Sequence, residues 1–92
     1  MSTTGSCAAA LHAENRTIPK LIDETEAPTV TVATGPQPAL GITKVAVARA
    51  RRTIGRIAAA LEREVRRSRP CLGAAWAANV RSQIAPLKSY VQ

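Results

Sequence analysis

Ninety-two residues allow one small domain plus tails, and an apolar content of 46% is ordinary for a folded chain. With one Trp, one Tyr and no Phe, much of that content is alanine, which argues against a thick self-sufficient core. The net charge of +7 is unevenly spread: residues 1–40 carry Arg16 and Lys20 against Glu14, Asp23, Glu24 and Glu26, net −2, whereas residues 41–92 carry eleven basic and two acidic side chains, net +9.

That asymmetry predicts a basic module preceded by a mildly acidic arm, and a basic half that attracts polyanions such as nucleic acid, anionic lipid or an acidic protein face. Arg outnumbers Lys by 10 to 3, which suits bidentate contacts to phosphate or carboxylate, although GC-rich coding produces the same bias. No run approaches the roughly 18 apolar residues of a membrane span, and the N-terminus has neither a basic n-region nor a hydrophobic h-region. The chain therefore reads as soluble and intracellular.

Residues 1–17 open with MSTTGS and continue as CAAALHAENR, long enough for about two turns of helix. Leu11 is the only large apolar residue there to dock such a helix, so a frayed tail is the leading expectation. From Thr17 to Ala27, Ile18, Leu21 and Ile22 form a small apolar cluster beside Asp23, Glu24 and Glu26. This is either a short linear docking element or an acidic linker lying loosely on the chain's own basic helix.

TVTVA, residues 29–33, alternates as a strand would, and its natural partner is Ile42–Ala48 across the intervening Gly- and Pro-rich loop. A lone hairpin is marginally stable, so the preferred reading is an extended linker entering a helix capped by Thr43.

The stretch from Lys44 to Arg69 has clear helical periodicity. Val47, Ala50, Ile54, Ile57, Ala58, Leu61 and Val65 fall on one stripe at spacings of three and four. Opposite it lie Arg49, Arg52, Arg56, Arg63, Arg66 and Arg67, with Glu62 and Glu64 on the flanks. Pro70 is expected to stop this helix. Gly55 is the local misfit, at about 1 kcal/mol against Ala, and is read either as a close-approach point for a partner or as tolerated. After Pro70, Leu72, Trp76, Val80 and Ile84 recur every fourth residue, predicting a second helix; Asn79 and Gln83 fall on the same side.

The expectation is thus an all-α fold: a flexible Pro-, Thr- and Gly-rich arm over residues 1–41 and, over residues 42–92, a basic antiparallel helical hairpin. Because its large apolar residues are few, the hairpin is expected to need company, either a second copy or another protein.

Catalytic and metal constellations are not indicated. His12 is the only histidine, and Cys7, five positions away, falls on a different helix face. No ligand spacing suggests a metal or cofactor, and Asp23, Glu24 and Glu26 read as a solvated acidic patch. Cys7 and Cys71 are too few for a disulfide framework and read as free thiols in a reducing compartment, with an opportunistic bridge as the lesser alternative.

Two functions fit. The first is a non-catalytic nucleic-acid-binding or nucleoprotein-associated protein whose six face arginines contact phosphates without reading sequence. The second is a structural or interaction subunit, homo-oligomeric or part of a larger complex, assembling through Val47, Ile54, Ile57, Leu61, Val65, Leu72, Trp76, Val80 and Ile84. Membrane-surface binding ranks last, because Trp76 and Tyr90 lie outside the basic helix.

Overall fold

The computed structural model describes residues 3–92, and every regular element in it is helical. Helix α1 (Thr3–His12) passes through a π-helical turn (Ala13–Thr17) into α2 (Ile18–Glu24) and α3 (Glu26–Thr34). A turn containing one short 3₁₀ segment (Pro38–Leu40) leads to the long α4 (Lys44–Leu72), then α5 (Ala74–Ile84) and a final 3₁₀ stretch (Ala85–Tyr90).

Helix α4 is where sequence pattern and structure agree most closely. Thr43 caps it, its Oγ1 accepting from the Ala46 N–H at 3.0 Å. Its apolar stripe is the buried face: Val47, Ala50, Ile54, Ile57, Leu61 and Val65 are all buried, with Ile54, Leu61 and Val65 fully inaccessible. At 29 residues the helix is about 43 Å long. Its end differs from the expected stop at Pro70. The proline is accommodated in the last turn, and the helix runs on to Leu72 before Gly73, at φ +95°, breaks it.

The expected flexible arm over residues 1–41 is largely replaced by helix. Met1 and Ser2 lie outside the described residues, but from Thr3 to Thr34 the chain is helical and runs back along α4. TVTVA is not a strand. It lies in α3, whose contacts with α4 override the preference of Thr and Val for extended backbone. Among the described residues, the sole bridge-type pairing is Gln37 with Ile42, across the turn.

Two prolines lie within this helical run, each near the start of a helix. Pro19 is the second residue of α2, and the π turn directly before it widens the backbone where a proline would otherwise crowd the carbonyl four residues back. Pro28 is the third residue of α3, where its missing N–H is tolerated, and the chain bends at Thr25 just ahead of it. Thr25 is buried there, its hydroxyl donating to the Ile22 carbonyl at 2.6 Å.

One core joins α2, α4 and α5. Ile18, Ile57, Leu61, Val65, Ala77, Val80 and Ile84 form a buried cluster, with Leu21, Ile22, Trp76 and Leu87 packed against it. The Ile18–Leu21–Ile22 group therefore docks on the chain's own α4 and α5. Asn79 and Gln83 face solvent, because the buried side of α5 runs through Ala77, Val80 and Ile84 and leaves Trp76 half-buried. Across α4 and α5, Glu62 meets Arg81 at 2.9 Å, and farther along Arg51 Nη1 donates to the carbonyls of Tyr90, at 3.1 Å, and Gln92.

The cysteines are bonded to each other, which corrects the expectation of free thiols. The Cys7–Cys71 bridge has Cα atoms 5.3 Å apart and links α1 to the last turn of α4 across 64 residues of sequence. Helical spacing could not reveal this pairing, because it depends on α1 lying beside α4. The described molecule is a rod of 58 × 18 × 14 Å.

Candidate nucleic-acid interface

Because the back of α4 is fixed by the core, its opposite side is held toward solvent. Arg49, Arg52, Arg56, Arg63, Arg66 and Arg67 are all exposed. At about 100° per residue, Arg49, Arg52, Arg56, Arg63 and Arg67 fall within a sector of about 60°, and Arg66 stands about 40° beyond it. From Arg49 to Arg67 this ridge runs about 27 Å along the axis.

Few local partners neutralise the ridge. The two acids of α4 are both engaged: Glu62 with Arg81, and Glu64 with Arg67 at 3.5 Å. The Arg67 side chain remains 75% exposed, and an exposed pair at that distance contributes at most about 1 kcal/mol, so its charge stays available. Among the described residues, Arg49, Arg52, Arg56, Arg63 and Arg66 form no ion pair with an acidic side chain. The only side-chain hydrogen bond in that group is a long one, Arg56 Nη2 to Thr53 Oγ1 at 3.4 Å. The acidic segment does lie against the basic helix, but through Ile18, Leu21 and Ile22; Asp23, Glu24 and Glu26 are exposed and make no ion pair among the described residues.

A shallow concavity on the ridge is lined by Arg49, Arg52, Gly55, Arg56 and Ala59. Three guanidinium groups and two small residues at one concavity suit an anion with several oxygens. A second basic hollow, lined by Arg66, Arg69, Pro70, Ala74 and Arg81, sits beside the turn into α5. Arg69 and Arg81 were not singled out from the sequence. Arg69 belongs to the last turn of α4, and Arg81 is brought to it by the contacts of α5 with α4.

The residues considered for assembly are placed differently. Val47, Ile54, Ile57, Leu61, Val65, Val80 and Ile84 are buried within this chain, and Leu72 and Trp76 are half-buried. Large apolar side chains that do reach solvent include Val30 at 64%, Leu40 at 66% and Val45 at 63%, on the segments flanking the α3–α4 turn. Those three do not continue the α4 stripe, so periodicity gave no sign of them. His12 is exposed, and no helix among the described residues is long and apolar enough to cross a membrane.

The chain matches no protein-family model, no curated protein and no solved structure.

Proposed function

We propose that this chain is a small, non-catalytic nucleic-acid-binding or nucleoprotein-associated protein that grips phosphates through the arginine ridge of α4, presented on a basic antiparallel helical hairpin over residues 42–92. The observation that carries this reading is the set of five exposed arginines without an acidic partner, aligned on one rigid helix. Retaining that much unpaired like charge on one face raises self-repulsion, and a polyanion relieves it by releasing condensed counterions. Contacts from these arginines to phosphates carry no sequence information, so the recognition is of backbone and not of base sequence.

The test is a salt titration of binding to nucleic acid. Engaging four arginines gives a slope of log K against log salt of about −3 to −4. Changing Arg49, Arg52, Arg56 and Arg63 together to Gln, also a good helix former, is expected to flatten that slope and weaken unrelated sequences alike while leaving helicity intact. Wild-type affinity and slope in that variant, or no binding at low salt, would exclude this function.

A second reading, assembly with another copy or protein, draws support from the exposed Val30, Leu40 and Val45 near the α3–α4 turn. It requires concentration-dependent sedimentation that changing these three residues to Ser abolishes while the arginine variant retains it.

A further inference from the structure

The ridge is not uniform. Arg49, Arg52 and Arg56 form one group and Arg63, Arg66 and Arg67 another, and between them the solvent side offers Ala59, exposed, and Ala60, half-buried, with the half-buried Glu62 held on the flank by Arg81. The centres of the two groups lie thirteen residues apart, about 20 Å along the helix. Two clusters of guanidinium groups are thus separated by a saddle of methyl groups.

We propose, building on the phosphate-binding reading above, that the polyanion is double-stranded DNA and that α4 lies across its major groove, with one arginine cluster on each phosphate wall. The major groove is about 12 Å wide and admits a helix, so clusters about 20 Å apart overhang each edge by about 4 Å, within reach of the bordering phosphates. The minor groove, about 6 Å wide, is too narrow for the helix and would be overshot on both sides. In an RNA duplex the major groove is deep and narrow, which denies the saddle its approach.

The face also lacks what a single strand would need. Binding of single strands draws on aromatic side chains that stack successive bases. The chain's two aromatics, Trp76 in α5 and Tyr90 in the C-terminal 3₁₀ stretch, are half-buried and belong to neither arginine cluster. The spacing of the clusters is moreover rigid, because Ile54, Leu61 and Val65 pin the back of the same helix at 0% exposure. A fixed spacing favours a partner whose phosphates are themselves fixed, and a flexible strand gains little from it.

The experiment is fluorescence anisotropy of the full oxidised chain with three probes of equal length: duplex DNA, duplex RNA and single-stranded DNA. About 20 base pairs, at about 3.4 Å each, exceeds the 58 Å length of the molecule. Duplex DNA is expected to bind at least about tenfold more tightly than either other probe at low salt. With two arginines of each cluster engaged, two triple variants, Arg49, Arg52 and Arg56 to Gln and Arg63, Arg66 and Arg67 to Gln, are each expected to lower the duplex-DNA slope by about 1.8 and to erase the preference over single strands. Equal or tighter binding of single-stranded DNA or duplex RNA overturns the groove-spanning inference and leaves the phosphate reading standing. Absence of binding to all three probes overturns both. If either variant fails to show a wild-type helical signal, the three-probe comparison on the native chain decides alone.

Discussion

Cys7 and Cys71 show how far a single residue's meaning depends on its neighbours in space. Around Cys7 the docking surface is slight: α1 and the π turn bury Ala10 and Ala13 against the rest of the molecule, and Leu11 remains 49% exposed. Buried alanines contribute little hydrophobic stabilisation, so the bridge supplies what the packing lacks. For a loop of 64 residues the chain-entropy relation gives about 4 kcal/mol. Reduction with a dithiol, or Cys7→Ser, is therefore expected to lower unfolding stability by up to about 4 kcal/mol and to remove amide protection from residues 3–17, while Ile54–Val65 stays protected. Calorimetry and hydrogen exchange read both effects. An unchanged melt with α1 still protected would show that the alanine contacts suffice by themselves.

At the scale of elements, α4 was legible because three independent signals agreed: the three-and-four spacing of its apolar residues, the Thr43 cap and the strong helix formers between. The arginine face followed directly, since residues opposite a buried stripe must face water. Helix α3 was not legible. Thr and Val prefer extended backbone and Pro28 signals a break, and only contacts with α4, remote in sequence, reverse that preference. Pro70 misled for a related reason, since its ring is tolerable within a last turn that Gly73 closes. Gly55 is now placed. A Cβ built there would meet Val91 Cγ1 at 3.5 Å, an ordinary contact, so no close backbone approach requires glycine. Gly55→Ala is expected to raise stability by about 1 kcal/mol, seen as a higher denaturation midpoint, and to leave the salt slope of binding unchanged. A lower midpoint would mean that the C-terminal segment presses on this position.

On the scale of the whole molecule, the sequence pattern divided the chain at residue 41, whereas the core draws Ile18 from one side of that boundary and Ile57 to Ile84 from the other. Two apolar stripes that looked too exposed for one hairpin are covered in large part by residues 10–34. That cover could not be read locally, because α1, α2 and α3 are too short and weakly amphipathic to announce a shared buried face. Charge was more transparent than packing, since it sums along the sequence whatever the fold. The ridge was legible as a set of residues, but its isolation from Asp23, Glu24 and Glu26 was not, because that depends on where the N-terminal helices settle.

The Cys7–Cys71 bridge and the exposed turn between α3 and α4 together make the order of peptide bonds partly dispensable. A protease of thermolysin type, cutting before the exposed Leu40, would separate residues 1–39 from 40–92 and leave one cysteine on each fragment. The product would be a two-chain molecule, one species heavier by a single water without reductant and two peptides with it. Tethered at each other's effective concentration, the two chains should regain their helical signal after denaturation and dilution, as independent peptides at micromolar concentration should not. Cleavage that scatters the fragments without reductant would mean that the bridge is not formed in solution.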